Sequence, residues 1–305
     1  MKILIAYDGS DCADAALVDL QRAGLPGEAE VMVLTAIDVF IPPDVGKEDE
    51  EDFTNYVPHG VKLAHERNAL RFAEAEALAA RGGESVRAMF PGWNVKIEAL
   101  ADTPHWALIK ETEKWEPDLL VVGSHGRSAF GRMILGSVSQ KVLYEAQCSV
   151  RIARGRTLIA DTPIRLVLGA DGSPDSEAML DAVAARNWRE GTQVKLITAA
   201  EFFFQDGFDP DEQMSQISEL QNSAVKKLNE VGLEVVQIIK EGDPKHILLL
   251  ESEAWGADCI FLGAKGHRLL ERFLVGSVSS AVAARAHCSV EIVRNRIGHS
   301  EKEVD

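Results

Sequence analysis

Two segments carry glycines at the same spacing: GSHGRSAFGRMILGSVS, with Gly123, Gly126 and Gly136, and GAKGHRLLERFLVGSVS, with Gly263, Gly266 and Gly276. Each reads glycine, two residues, glycine, nine residues, glycine-serine. Backbone without a Cβ can approach a sugar or phosphate closely, and glycine enters positive φ without strain. The serine after the last glycine, Ser137 or Ser277, opens an apolar-periodic stretch that predicts a helix. The unpaired N–H groups and partial positive charge of such a helix start bind phosphate without any lysine. One such segment reads equally well as a plain strand-to-helix turn, whereas two at identical spacing after equivalent apolar runs point to a nucleotide loop.

Charged residues surround these loops. Arg127 and Arg132 in the first, and Lys265, His267, Arg268 and Arg272 in the second, would offset repulsion between an acidic chain and a polyphosphate. Taken singly, each reads as a solvated surface charge. His125 has no metal or triad partner at a readable spacing, so no catalytic role is assigned to it. Asp8 and Asp171 end the first apolar run of each copy and are followed by Gly-Ser. Two readings stand: a carboxylate that accepts from an adenine amino group or a ribose hydroxyl, or one that caps the next helix or its turn.

The elements behind these residues come from an internal repeat. LLVVGSHGRSAFGRMILGSVSQKVLYEAQCSVRI from Leu119 aligns without a gap with CIFLGAKGHRLLERFLVGSVSSAVAARAHCSVEI from Cys259. Upstream, AYDGSDCADAAL matches GADGSPDSEAML, but the first copy holds about 23 extra residues before the helix near Pro104. Each copy alternates short β-branched runs with helical stretches, the pattern of a parallel sheet covered on both faces. The predicted strands are 2–7, 30–37, 94–100, 118–123 and 149–153, then 164–170, 193–200, 234–240, 258–263 and 289–293. Helix starts are marked by Ser10, Ser173 with Pro174, Thr103 with Pro104, and Asp243 with Pro244. The predicted fold is α/β: two tandem, doubly wound, open parallel five-stranded sheets. The basic, aperiodic stretch from Arg154 to Pro163 is the linker, which sets domains at 1–156 and 157–305.

The insertion IPPDVGKEDEEDFTNYVPHG, Ile41 to Gly60, is acidic and aperiodic and predicts a long surface loop. It reads either as a solvated insertion or as a lid or partner-binding segment. In the second copy, Phe202, Phe203, Phe204 and Phe208 read as an exposed contact surface or as packing under the following helix.

At 305 residues the chain suits two domains, and a net charge of −16 disfavours nucleic-acid and anionic-membrane partners. No apolar run is long enough to span a bilayer, and the start of the chain reads as a strand, so a cytoplasmic protein is expected. Cys12, Cys148, Cys259 and Cys288 form no CxxC pair and no zinc spacing, and are expected to be reduced, small and mostly buried, with no metal site. A P-loop is missing because no GxxxxGK[ST] occurs, and no GxGxxG follows the first strand of either copy. YDGSD resembles the SGGxDS loop of adenylating enzymes only weakly.

Together the two DGS segments, the strands ending TAID and TAAE, the proline helix starts and the doubled glycine loop resemble the ATP-binding branch of the universal stress protein family, in tandem form. The resemblance spans nearly the whole chain. It implies a nucleotide-dependent stress-response sensor or regulator that takes ATP, with or without Mg, or AMP or cyclic AMP, and no shared catalytic reaction. It places Asp8 and the backbone of Ala36 on adenine, Gly123, His125 and Gly126 along ribose and phosphates with Arg127 nearby, and Gly136, Ser137, Val138 and Ser139 on the phosphates. In the second copy the equivalents are Asp171, Ala199, Gly263, Lys265, Gly266, Gly276, Ser277, Val278 and Ser279, Lys265 standing where the first has His125. It also implies pairing of the two domains through their fifth strands, Arg151 facing the region of Glu291, as a covalent pseudo-dimer, with a further homodimer left open. Weak ATPase activity and a pure interaction protein with non-functional sites are the alternatives.

Overall fold

The computed structural model describes residues 1–38, 59–125, 135–154, 162–200, 210–266 and 275–295. The first half runs β1 (Lys2–Ala6), α1 (Asp11–Asp19), β2 (Ala29–Ile37), α2 (His59–Met89), β3 (Trp93–Ala101), α3 (Pro104–Trp115), β4 (Leu119–Gly123), α4 (Ser137–Glu145) and β5 (Ser149–Ala153). The second repeats it as β6 (Arg165–Gly169), α5 (Pro174–Ala184), β7 (Gln193–Ala200), α6 (Pro210–Glu230), β8 (Glu234–Glu241), α7 (Pro244–Trp255), β9 (Cys259–Gly263), α8 (Ser277–Arg285) and β10 (Ser289–Val293). Each strand end falls within one residue of the run read from the sequence, because the apolar runs stop where a capping or turn residue begins.

The halves have strand orders β3-β2-β1-β4-β5 and β8-β7-β6-β9-β10, and all pairs within a half are parallel. Rather than standing apart, the two five-stranded sheets are fused: β5 runs antiparallel to β10 and a single ten-stranded sheet results. Arg151 lies directly opposite Glu291 in that register, as the resemblance implied.

Alternate strand residues face opposite layers. On the side of α3, α4, α7 and α8, one apolar core crosses the seam, joining Leu120, Val150 and Ile152 to Ile260, Val290 and Ile292. On the side of α1 and α5 there are two cores, one around Ile3, Ile5 and Leu17 and the other around Leu166, Leu168 and Phe261. A buried ion network stands between them. Arg151, 1 % exposed, donates from Nε to Asp19 Oδ2 (2.7 Å) and from Nη1 to Glu291 Oε2 (3.0 Å). Arg186 donates to the other Glu291 oxygen, and Ser289 Oγ donates to Asp19 Oδ1 (2.7 Å). Burial opposes the Arg151 charge, but Asp19, Cys259 and Glu291 together hold its pKa well above the ordinary arginine value.

The seam is also clasped reciprocally. Arg294 donates to Leu143 O (2.6 Å) and Cys148 O (2.8 Å) at the end of α4, and Arg154 donates to Ala283 O (2.6 Å) at the end of α8. A cation there satisfies last-turn carbonyls and opposes the negative end of the helix dipole. Burial lowers the pKa of both guanidiniums, that of Arg294 to about 10.

The extra length of the first half resides partly in α2, with 31 residues against 21 in α6. Gly60 therefore belongs to a helix rather than to the predicted loop, while residues 41–58 lie outside the described residues. So do Phe202, Phe203, Phe204, Phe208 and the expected domain boundary near Thr157. Cys148, Cys259 and Cys288 are buried and Cys12 is partly so, and all four are free thiols. Among the described residues, no helix is long and apolar enough to cross a membrane.

Candidate functional site

Within each half the strand order reverses between β1 and β4, or between β6 and β9, so the loops leaving these strands diverge and open a crevice at the strand carboxyl ends. The DGS turn follows the first strand of the pair and the glycine loop follows the second.

In the second half this crevice is a cavity of about 570 Å³. Its walls contain every residue predicted for that copy: Asp171, Ala199, Gly263, Lys265, Gly266, Gly276, Ser277, Val278 and Ser279. Asp171 Oδ1 accepts from Ser173 N (3.0 Å) and Ser173 Oγ (2.6 Å), which closes the turn that caps α5. The other oxygen faces the loop: a Cβ on Gly266 would lie 2.5 Å from Asp171 Oδ2. The capping reading of this aspartate therefore has a structural basis in its first oxygen. Lys265 is fixed through its backbone, its N–H donating to Asp175 Oδ2 (2.8 Å).

The base of the loop is closed by Gly276 N donating to Ala264 O (2.7 Å), which delivers the chain into α8. The N-cap of α8 is Gly276, which has no capping side chain, and the first-turn residues Ser277 to Ser279 line the cavity with no side-chain cap among the described residues. The Ser279 hydroxyl turns away and donates to Gly263 O (2.7 Å), pinning the helix start to the end of β9. What Ser279 offers the cavity is its backbone, not its hydroxyl.

The first half repeats this geometry. Asp8 Oδ1 accepts from Ser10 N (3.0 Å), Gly136 N donates to Ser124 O (2.8 Å), and Ser139 Oγ donates to Gly123 O (2.7 Å). Ser137 and Val138 open α4, again without a side-chain cap. Ala36 and Ala199 sit near the carboxyl ends of β2 and β7 and pack partly buried against the shared core. His125 Nδ1 lies 3.1 Å from Ser124 Oγ, and its buried Nε2 has no partner among the described residues. Gly126, Arg127, Arg132, His267, Arg268 and Arg272 lie outside the described residues.

Positive φ does not account for the loop glycines. Gly136 and Gly276 have φ of −60° and −75°, extended backbone open to any residue, and none of the described loop glycines has positive φ. Beside the crevice, left-handed glycines are found instead in the DGS turns, at Gly9 and Gly172. Gly263 is required by a helix: a Cβ there would lie 2.7 Å from the Asp175 carbonyl carbon, in the first turn of α5. At Gly123 the nearest backbone atom, Cys12 O, would be 3.1 Å away. Gly263→Ala is therefore expected to cost about 1–3 kcal/mol of stability and Gly123→Ala distinctly less, as urea unfolding of the two variants would read. Equal costs would refute this account.

Sequence reasoning passed over Asp243, Pro244, Lys245 and Ile217, which also line the cavity. Asp243 and Pro244 were legible only as a helix start, although a helix beginning at a strand carboxyl end in such a sheet borders the crevice by construction.

The family model for the universal stress protein family matches residues 1–154 and again residues 164–294. Relatives include a universal stress protein of Mycobacterium tuberculosis, 27% identical over 66% of this chain and 69% of its own length. Another, from Methanocaldococcus jannaschii, is 31% identical over 50% of this chain and 81% of its own length. Among solved structures, a universal stress protein from Archaeoglobus fulgidus superposes with a TM-score of 0.61, covering 96% of each chain at 20% identity, and so shares the fold. Because the family model covers both halves, each with its own crevice and glycine loop, the chain belongs to the universal stress protein family as a tandem member.

Proposed function

We propose that this tandem protein binds adenine nucleotide, ATP foremost, and acts as a nucleotide-dependent regulator through conformation and partner contacts. The observation that carries this reading is the 570 Å³ cavity, which gathers the predicted residues around an uncapped helix start. Asp171 and the Ala199 backbone would take the adenine, Gly263, Lys265 and Gly266 the ribose and phosphates, and the first turn of α8 the terminal phosphates. Lys265 would add the positive charge that a triphosphate needs in a chain of net charge −16. The first half would use Asp8, Ala36, Gly123, His125, Gly126, Gly136, Ser137, Val138 and Ser139 in the same roles, with the buried Nε2 of His125 supplying a polar contact in place of Lys265. In this reading residues 1–156 and 157–305 are two binding domains.

The test is a thermal melt with ATP, ADP, AMP and cyclic AMP, together with mass spectrometry of nucleotide released on denaturation. Ligand at 100 times its Kd stabilises the folded state by about 2.7 kcal/mol. A shift of several degrees with ATP is expected. No shift with any of the four would sink the reading, and steady release of ADP would move it from regulator to ATPase.

A further inference from the structure

The two halves differ at one place beside this crevice. In the first, Tyr7 follows β1 and is 2 % exposed. Its hydroxyl donates to Asp14 and accepts from Arg81 Nε (2.9 Å). Arg81 also reaches Gly9 O (3.2 Å) and lies with its guanidinium carbon 5.5 Å from the Tyr7 ring centroid. Gly82 makes room for that ring, since a Cβ there would lie 2.8 Å from Tyr7 Cδ1. A phenol and a guanidinium thus fill the space between α1, α2 and the end of β1.

In the second half that space is open. Ala170 stands where the first half has Tyr7, Gly172 where it has Gly9, and Glu177 where it has Asp14. Along the helices, Ala75, Ala79, Gly82 and Val86 match Ile217, Gln221, Ala224 and Leu228 in spacing, which places Ser223 at the position of Arg81. Ring and guanidinium are both lost, and a cavity of about 260 Å³ remains, lined by these same positions: Ala170, Gly172, Glu177, Gln221, Ser223 and Ala224. Gln221 is 2 % exposed; its Nε2 is held near Thr198 Oγ1 (3.0 Å) and Ile238 O (3.2 Å), while its buried Oε1 has no partner among the described residues. A buried carbonyl oxygen without a donor is costly, and here it belongs to a residue of the cavity wall. Two further carboxylates line the cavity, Asp171 and Asp181, and so does Lys227, which pairs with Asp181.

We infer that this cavity is a second binding site, specific to the second half, for a small planar organic cation: an amidinium or guanidinium on a short apolar or aromatic body. Such a molecule replaces what the first half supplies covalently. Its flat body occupies the space of Tyr7, and its forked donors serve Glu177 as Arg81 serves Asp14. The site adjoins the nucleotide crevice, sharing Ala170, Asp171, Thr198 and Ile217 with it, but Glu177, Gln221 and Ser223 belong to the small cavity alone.

Benzamidine, a phenyl ring bearing an amidinium, is the probe. Calorimetric titration into the full chain should show one site of about millimolar affinity, weakened about tenfold in Glu177→Gln through loss of a charge-assisted hydrogen bond. Binding should vanish in Ala170→Tyr/Ser223→Arg, which rebuilds the plug of the first half. Glu177 and Ser223 are exposed, so Glu177→Gln and Ser223→Arg test the site singly if the double variant does not fold. Ser223→Arg should leave the ATP-induced thermal shift unchanged, which separates this site from the nucleotide reading. No heat of binding at about 10 mM benzamidine, or binding undiminished in Glu177→Gln and Ser223→Arg, overturns the proposal.

Discussion

Arg151→Met should lower the unfolding free energy by about 3–5 kcal/mol, the cost of leaving buried carboxylates without their cation. Arg151 and Glu291 are each 1 % exposed and Asp19 has a side chain 9 % exposed, so water cannot take over when the guanidinium is removed. Methionine fills comparable space and adapts its shape, which makes the loss electrostatic rather than a cavity effect. Arg186 still holds one oxygen of Glu291, but the other oxygen and Asp19 Oδ2 lose their donor. Lys110→Met offers the contrast: its 2.7 Å pair with Asp102 has a lysine 67% exposed, and its removal should stay within about 1 kcal/mol. Urea unfolding of both variants at neutral pH decides the matter. An Arg151→Met protein within 1 kcal/mol of the parent would mean that the continuous apolar core on the opposite face alone holds the seam.

The second large effect concerns ligand rather than stability. Gly136→Val/Gly276→Val should weaken ATP binding by about 100-fold or more, equivalent to about 2.7 kcal/mol, while the sheet stays folded. Both glycines precede an uncapped helix start in extended conformations that valine adopts readily, so the backbone need not change. A branched side chain at that point obstructs the approach of a phosphate to the first-turn N–H groups, which requires contact near 2.9 Å. Equilibrium binding of ATP, with circular dichroism to verify the fold, provides the measurement. Unaltered affinity would remove the helix starts from the phosphate site.

Strands, repeat and crevice were legible because each rests on local patterns. The run KILIAY announces a strand that stops at a polar turn, and Asp8 reappears at Asp171 with its Gly-Ser intact. The glycine loop was legible as a feature and misread in part as to cause. That Gly263 makes room for the backbone of α5 depends on how closely a helix approaches a strand from another part of the chain, which no spacing records. Ser139 and Ser279 likewise looked like phosphate ligands, yet their hydroxyls pin helices to strands. The exchange of Tyr7 for Ala170 was visible as letters, but its meaning required knowing that Arg81 and Asp14 meet at that ring.

The seam has a consequence for assembly. Arg151 and Glu291 occupy equivalent places in the repeat and meet as a direct pair on antiparallel strands. If two first halves met by this edge, arginine would be set against arginine, and two second halves would oppose glutamate to glutamate, leaving Arg151 only Asp19 and Glu291 only Arg186 as opposite charges in a dry interior. Each half is thus complementary to the other and repelled by itself. One chain thus carries both members of a pairing that has the selectivity of a heterodimer.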